Sequence, residues 1–426
     1  RDKVTTRVVT RVVDDPLVAA GIVARTGEGG ISGQDQTVAD PASVGMSSEG
    51  LARVDSIIRA GLDDSAFSGA TVAIGRHGRL VKLDAYGELA YGSGRPTTTT
   101  SIWDMASVSK VVGTTTAAMM LVGDGALDLD APVVQYLPWW SRGDERKNQI
   151  TVRQLLIHRT GLPPFRRWFF DHEGLEAYKN AAADEPLDMD PGLETIYSDI
   201  GIMTLAWVIE EVSGQTLDAL LQERLWDPLG MAETRYRPDA SLKPRIAATE
   251  VDTLWRDELV WGRVHDENAD AMGGVAGHAG LFSTAVDLSV FAQMMLNGGE
   301  SPACQPGDDA GVPCPLGRGI AQQIVDPGVL SMFTTRFDET STRGLGWDTP
   351  GERSSGGDYV TSSAFGHTGY TGTSIWMDPE LDVWVILLTN RVHPSRENSK
   401  HVPLRRAVAD AALLAITDQP VRKRTP

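Results

Sequence analysis

The sequence predicts a mixed α/β fold, in which an antiparallel sheet is flanked by helices and an all-helical lobe is inserted. Two observations support this prediction. Helical periodicity dominates the middle of the chain, from about residue 150 to about residue 300, whereas His77-Gly78 near the start favours an antiparallel hairpin. Strand-forming segments, the last of them a continuous apolar run, lie near both ends of the chain at 70–76, 80–86, 366–377 and 383–389.

The order of these segments divides the chain into two lobes. An α/β lobe is expected from residues 47–120 together with residues 320–417, and a helical lobe with an insertion loop from residues 121–319. Residues 1–46 are expected to form an N-terminal extension and linker, because 27–43 is rich in Gly, Asp, Gln and Ser. With 426 residues the chain can bury a large core.

Capping residues and apolar periodicity predict the individual helices. The first begins at Ser47 or Ser48, a second over 150–158 is capped by Thr151, and a third over 200–212 closes at Ser213-Gly214. Further helices are expected at 217–226, stopped by Pro228, at 287–296 and at 404–416.

Composition and cysteine usage limit the partners and the compartment. The net charge of −18 argues against nucleic acid, which needs a basic face, and no apolar run is long enough to span a membrane. The only two cysteines, Cys304 and Cys314, lie in a loop rich in Pro and Gly, which favours a disulfide over two free thiols. We therefore expect a periplasmic or secreted protein, and the start at Arg1 is typical of a processed chain.

Ser107-Val108-Ser109-Lys110 is the stretch with the clearest chemistry. In a helix that starts near Ser107, the hydroxyl and the Lys110 ammonium lie one turn apart on one face. A serine becomes a nucleophile when a base takes its proton, and a lysine can be that base only if its pKa is depressed. Most Ser-x-x-Lys patterns are caps or solvated turns, but this one is unique in the chain and follows residues that do not resemble a solvated cap.

Two further stretches complete the constellation. Tyr197-Ser198-Asp199 lies just before a predicted helix, where a tyrosine can relay a proton. Gly366-His367-Thr368-Gly369 opens a late strand whose glycines would let a substrate lie close to the backbone.

Together the motifs at Ser107, Tyr197 and His367 resemble those of the serine β-lactamase and penicillin-binding-protein superfamily, most of all its class C-like and esterase branch. The resemblance covers roughly residues 47–417 and implies a serine hydrolase that acts through an acyl-enzyme on a small-molecule or peptide substrate, with no cofactor. Within that class it leaves esterase, D-Ala-D-Ala carboxypeptidase and β-lactamase open. A non-catalytic penicillin-binding-like sensor is the alternative outside it.

The resemblance also implies a role for each site residue. Ser107 would be the nucleophile, with Lys110 and Tyr197 moving protons. The backbone N–H groups of Ser107 and Tyr370 would form the oxyanion hole. Substrate binding would fall to Asp199, His367, Thr368 and Gly369.

Two positions depart from the usual motifs and predict that esters are preferred to β-lactams. The second motif usually ends in Asn, whereas Asp199 can only accept hydrogen bonds when ionised. The third usually begins with Lys, and a neutral His367 is a weaker anchor for a carboxylate. We therefore expect any β-lactam hydrolysis to rise as the pH falls toward protonation of His367, and to improve in His367→Lys.

Other chemistry-bearing residues have plainer interpretations. Tyr178-Lys179-Asn180 repeats a Tyr-x-Asn pattern within a charged run typical of a solvated helix, and His158 is expected to cap a helix end. No metal is predicted, because the spacing of His265, Asp266, Glu267 and His278 is not that of a zinc helix. One aromatic set fits core packing better than the cleft mouth: Trp139, Trp140, Trp168, Phe169 and Phe170.

Overall fold

The structure, a computed structural model, describes residues 38–302 and 321–424. Its main sheet has five strands in the order β2-β1-β10-β9-β8, and every neighbouring pair is antiparallel. The sheet takes two strands from the early part of the chain and three from the late part. Its strands are β1 (Gly69–Arg76), β2 (Arg79–Gly87), β8 (Phe365–Thr368), β9 (Ser374–Asp378) and β10 (Val383–Thr389).

Both faces of this sheet are covered, which explains the apolar run of β10. Val383, Val385 and Leu387 join the smaller core, which also contains residues of the first and last helices. The intervening Trp384 and Ile386 join the larger core on the other side. Because successive side chains of a strand point to opposite faces, a strand buried on both faces has no polar alternation.

In the described ranges, twelve α-helices surround the sheets. In chain order they are α1 (Ser48–Asp63), α2 (Thr116–Gly123), α3 (Val133–Tyr136), α4 (Val152–Leu156), α5 (Leu175–Asp184), α6 (Asp199–Ser213), α7 (Leu217–Leu221), α8 (Asp227–Leu229), α9 (Glu267–Ala271), α10 (Ala285–Leu296), α11 (Pro327–Thr334) and α12 (His401–Leu414). Two π-helical turns, Lys110–Thr115 and Gln222–Trp226, run directly into α2 and α8. Short 3₁₀ turns cover Pro41–Val44, Glu145–Gln149, Trp168–Phe170 and Ala240–Arg245.

Two small sheets position loops around the cleft. One has the order β3-β7-β4, and the other pairs β5 with β6. Their strands are β3 (Trp103–Asp104), β4 (Arg235–Tyr236), β5 (Val251–Asp252), β6 (Glu258–Leu259) and β7 (Leu281–Ser283).

Most predicted elements are present, and three differ. The single strand expected over 366–377 is two strands, because residues 369–373 form a turn between β8 and β9. The helix expected over 150–158 is only Val152–Leu156, although Thr151 caps it as predicted. Pro228 does not end its helix, which closes one residue after Leu229 at the left-handed Gly230.

Several predictions fall outside these results. The proposed lobe boundaries stay a prediction, and residues 1–37, Cys304 and Cys314 lie outside the described residues. Within the described part of the chain, no helix is both long and apolar enough to cross a bilayer.

Candidate active site

A strained turn presents Ser107 at the start of its helix. Ala106 has a left-handed backbone with φ of 45°, which is costly for a residue with a side chain. The turn is held by the buried carboxylate of Asp104, which accepts from Ala106 N at 2.8 Å and from His265 N at 2.7 Å. The same carboxylate therefore ties the nucleophile turn to the loop that carries His265.

Lys110 is buried one turn beyond Ser107 and donates into the site. Its Nζ lies 2.9 Å from Ser107 Oγ, 2.8 Å from the carbonyl oxygen of His278 and 2.8 Å from Asp199 Oδ1. Burial opposes the charged form, but Asp199 and Tyr197 outweigh it and raise the pKa of Lys110. The depressed pKa that Lys110 would need to act as a base is therefore not found, and the resting site holds an ammonium that donates to Ser107.

Asp199 has this position because a helix begins there. Ser198 caps α6, accepting from Gly201 N at 3.2 Å and donating to the carbonyl oxygen of Pro163 at 2.7 Å. Asp199 therefore occupies the first turn of α6 and turns its carboxylate to Lys110. Its assignment to substrate binding stays a prediction, but its observed partner is the lysine.

Tyr197 is enclosed by two imidazoles and two cations. Its ring centroid lies 4.6 Å from that of His158 and 6.0 Å from that of His367. Lys110 Nζ and the Arg343 guanidinium carbon lie 4.9 and 5.1 Å from the ring centre. Its hydroxyl is buried and makes no hydrogen bond of good geometry with the described residues, and its interaction with Lys110 helps to raise the pKa of that lysine.

The ring of His158 packs against that of Tyr197. The sequence predicted only a helix-capping role for this histidine. Its Nδ1 accepts from Ser198 N at 3.1 Å, next to Tyr197 in the chain. Burial, together with the nearby Arg343 and Lys110 charges, lowers the pKa of His158 well below its usual value. A neutral imidazole therefore fixes the start of α6.

The turn between β8 and β9 brings a second amide to Ser107. Thr371 Oγ1 donates to the carbonyl oxygen of Asp104 at 2.7 Å, and Thr373 Oγ1 donates to that of Met105 at 3.0 Å. A Cβ on Gly369 would lie 2.4 Å from Met105 O, so only glycine allows this approach. Tyr370 thus lines the same cavity as Ser107.

The two amides assigned to the oxyanion hole are open in this arrangement. Neither Ser107 N nor Tyr370 N donates to a described residue. Both residues line the same cavity, and N–H groups without a partner are what a developing oxyanion requires. Their assignment remains a prediction that the geometry supports.

His367 is buried beside an arginine in this structure. It is buried, it is absent from the cavity wall, and its Nδ1 donates to the carbonyl oxygen of Thr368 at 2.8 Å. Its Nε2 accepts from Arg343 Nη1 at 3.2 Å. Burial, Arg343 and Lys110 lower the pKa of His367 well below its usual value. Burial and these two cations therefore disfavour the protonation that a carboxylate anchor would need, and the assignment of His367 to substrate binding stays a prediction.

The cavity beside Ser107 has a volume of about 330 Å³ and a wall rich in paired charges. His278 Nε2 lies 2.8 Å from Asp266 Oδ1, and Arg396 reaches Glu267 at 2.6 Å. Although burial opposes it, His278 helps to hold the pKa of Asp266 below its usual range. These residues come from the loop before α9, the start of α9, the loop before β7 and the loop after β10.

Sequence similarity places this constellation in a known family. The Beta-lactamase family matches residues 54–410. This chain belongs to the Beta-lactamase family. The resemblance stated from its three motifs is confirmed, and so is the α/β fold with an antiparallel sheet and flanking helices.

Curated relatives of this Beta-lactamase family member cover most of both chains. A protein of Salmonella typhimurium named "Putative D-alanyl-D-alanine carboxypeptidase" is 30% identical over 86% of this chain and 88% of its own. The N-acetylmuramyl-L-alanine amidase of Bacillus subtilis is 33% identical over 82% of each. The solved structure of EstCE1, a hydrolase with promiscuous acyltransferase activity, shares the fold with a TM-score of 0.65 and 23% identity, over 85% of this chain and 98% of its own. The chain is therefore a hydrolase of the serine β-lactamase and penicillin-binding-protein superfamily.

The structure also shows where the remaining aromatic residues considered in the sequence analysis lie. Tyr178 is buried, donating to Asn268 Oδ1 at 2.9 Å, so it is a packing residue rather than one on a solvated face. Trp140, Trp168 and Phe169 belong to the larger core. Sequence reasoning missed Arg343 and Arg396, since an arginine far along the chain gives no local signal of the partner it will meet.

Proposed function

We propose that this chain cleaves a carboxylic ester or amide through an acyl-enzyme on Ser107. The observation that carries the proposal is the 2.9 Å contact between Lys110 Nζ and Ser107 Oγ. Ser107 and Tyr370, whose amides donate to no described residue, line the same cavity as Lys110. A charged lysine stabilises the negative charge that grows on Oγ during attack, and the amides stabilise the charge on the carbonyl oxygen.

The proton path follows from which groups are already occupied. Lys110 is held as an ammonium by Asp199, so it cannot accept the Ser107 proton in the resting site. Tyr197 lines the same cavity, and its hydroxyl makes no hydrogen bond of good geometry with the part of the chain that the structure describes. In our mechanism Tyr197 accepts the Ser107 proton and passes its own to the leaving oxygen or nitrogen.

Water then hydrolyses the acyl-enzyme, with Tyr197 again relaying the proton. Water attacks the ester carbonyl, Tyr197 takes a proton from the water and gives its own to Ser107 Oγ as the C–O bond breaks. The products are the free acid and the regenerated serine. Lys110 remains charged throughout, so the two half-reactions use one arrangement of charges.

The paired charges of the cavity wall support esters and amides of neutral acyl groups. The cavity is lined by Asp199, Asp266 and Glu267, each already paired with a cation or imidazole. A β-lactam brings its own carboxylate, and neutral His367 offers it no charge. The names of the two curated relatives add peptide-type amides, D-Ala-D-Ala and N-acetylmuramyl-L-alanine, to the compounds worth testing.

The test combines labelling with a substrate panel. A fluorophosphonate should add one adduct, which peptide mass spectrometry locates on Ser107 and which is absent in Ser107→Ala. Turnover of p-nitrophenyl acetate, a D-Ala-D-Ala peptide, N-acetylmuramyl-L-alanine and nitrocefin is then compared. Ser107→Ala should stay folded, because losing a serine at a helix start costs about 1 kcal/mol. Full activity in that variant overturns the mechanism, and labelling without turnover of any compound supports the sensor alternative.

We also propose a periplasmic or secreted location. Its support is the spacing of Cys304 and Cys314 in the sequence, which suits an oxidising compartment. Fractionation of the native host with an antibody against the chain tests it, and recovery in the cytoplasmic fraction would contradict it.

A further inference from the structure

Two buried arginines donate hydrogen bonds to the turn between β8 and β9. Arg405, in α12, donates from Nη2 to the carbonyl oxygen of Gly369 at 3.1 Å. Arg391, two residues after β10 ends, donates from Nε to the carbonyl oxygen of Tyr370 at 2.6 Å. The two peptide groups that flank the Tyr370 α-carbon are therefore each held by a guanidinium.

Neither guanidinium pairs with a carboxylate in the part of the chain that the structure describes. The other hydrogen bonds of Arg391 go to the carbonyl oxygens of Arg396 and Asn398. Burial, with the charge of Arg391, lowers the pKa of Arg405 to about 10, so this arginine is still charged near neutral pH. Burial and the charges of Arg405 and Arg391 also lower the pKa of His401 to about 3. The turn therefore lies beside two positive charges that the fold does not neutralise.

The stability of the fold does not explain the charge of Arg405. A buried cation without a counter-ion destabilises the folded chain, whereas an apolar side chain of similar size does not. The carbonyl oxygen of Gly369 does not depend on the arginine either, because it also accepts from Gly372 N at 3.1 Å within the turn. The reason for the guanidinium therefore lies in what it does to the peptide group that it contacts.

The Gly369–Tyr370 peptide carries this contact toward the Ser107 cavity. The peptide bond is trans, so its C=O and N–H groups point in opposite directions within one plane. Because Arg405 contacts the oxygen, the Tyr370 N–H points away from Arg405, and it donates to no described residue. Tyr370 lines the cavity beside Ser107. A cation on the carbonyl oxygen polarises the peptide group and strengthens the donor at its other end.

Arg391 fixes the same residue from its carbonyl side. Its guanidinium carbon lies 4.2 Å from the centre of the Tyr370 ring. A Cβ on Gly372, whose φ is 116°, would lie 3.0 Å from Arg391 Cγ and 2.1 Å from Thr389 Oγ1, so glycine allows this close approach. The backbone on both sides of the Tyr370 amide is therefore held in one orientation.

We propose that Arg405 and Arg391 are positioning residues that orient and polarise the Tyr370 amide as an oxyanion donor. Neither arginine lines the Ser107 cavity, so both act through the peptide groups that they contact. When Ser107 attacks a carbonyl, the oxyanion accepts from Tyr370 N–H, and the charge of Arg405 favours that state over the neutral ester. The inference rests on the proposed acyl-enzyme function and adds to it the side chains that build its oxyanion hole.

Steady-state kinetics of Arg405→Met with a p-nitrophenyl ester test the inference. We expect kcat to fall at least tenfold and KM to change less than twofold, because the oxyanion forms in the transition states of both half-reactions. The Tm should be equal to that of the wild type or higher, since the substitution removes an unpaired buried charge. Arg405→Lys keeps the charge and should have a kcat at least threefold above that of Arg405→Met.

A thionoester, in which sulfur replaces the carbonyl oxygen, gives a measurement that a general structural defect would not change. Sulfur accepts hydrogen bonds weakly, so the ratio of ester to thionoester turnover reports on the oxyanion donors. That ratio should fall at least fivefold in Arg405→Met. Arg406→Met is the matched control, because Arg406 is the next residue of α12 and pairs with Asp358. It should leave kcat within twofold of the wild type and the ratio unchanged.

The outcomes separate this inference from the proposed function. Wild-type kcat or an unchanged ester-to-thionoester ratio in Arg405→Met would overturn the inference while ester hydrolysis through Ser107 stands. Equal losses of kcat in Arg405→Met and Arg406→Met, or no recovery in Arg405→Lys, would also overturn it. A wild-type chain with neither ester turnover nor a fluorophosphonate adduct on Ser107 would overturn the proposed function and the inference together.

Discussion

Replacing Asp199 by Asn removes one charge and keeps the shape of the side chain. Lys110 is 2% exposed, and Asp199 is its only carboxylate partner among the described residues. Breaking a buried ion pair by removing one member costs about 3–5 kcal/mol. Since the new amide oxygen could still accept a hydrogen bond and the Asp199 side chain is 18% exposed, we expect a loss nearer to about 2–3 kcal/mol at pH 7.

The stability difference between Asp199→Asn and the wild type should depend on pH. In the wild type the pKa of Lys110 is higher in the folded chain than in the unfolded chain. The Lys110 charge therefore contributes its full stabilisation at pH values below the unfolded pKa, and this stabilisation is lost as the pH rises through the folded pKa. In Asp199→Asn, burial dominates and the folded pKa falls below the unfolded value of about 10.4. The unfolded chain then binds more protons, so the variant becomes more stable as the pH rises toward 10.

Urea unfolding at pH 7, 8, 9 and 10 measures both effects. The difference from wild type should shrink steadily over that range. Glu176→Gln is the matched control, because Glu176 also lies in the first turn of a helix but pairs with Lys179 while 81% exposed. It should change stability by less than about 0.5 kcal/mol. Equal stability of Asp199→Asn and wild type at pH 7, or a difference that does not vary with pH, would refute the account of the Lys110 charge.

Three further predictions concern positions already described. His367→Lys should lower the free energy of unfolding by about 2–3 kcal/mol and should not increase nitrocefin turnover, because the new ammonium would face Arg343 in a buried space. Equal stability together with faster nitrocefin hydrolysis would contradict this. Gly369→Ala should lower kcat for a p-nitrophenyl ester at least tenfold, since its Cβ would meet Met105 O, and unchanged kinetics would show that this close approach is not needed for catalysis. Thiol titration of the denatured, non-reduced chain should find no free cysteine, because Cys304 and Cys314 are predicted to form a disulfide. Detection of two free thiols would contradict that disulfide.

The sequence alone determined the features that depend on neighbouring residues. The helix after Tyr197-Ser198-Asp199 follows from its apolar residues and its Ser213-Gly214 end, and the separation of Ser107 from Lys110 follows from helical periodicity. The apolar run of β10 identified an interior strand. These signals are local because backbone capping and side-chain periodicity act over one or two turns.

Only the tertiary structure decided the charges in the site. Lys110 and Asp199 are far apart in the chain, so no sequence spacing shows that the carboxylate would keep the lysine charged. Arg343 reaches His367 only because the segment before β8 folds back along it. Ionisation depends on burial and on every charge within a few ångströms, and those distances are fixed by packing between elements distant in sequence. The sequence therefore named the reacting groups, and the fold set their protonation states.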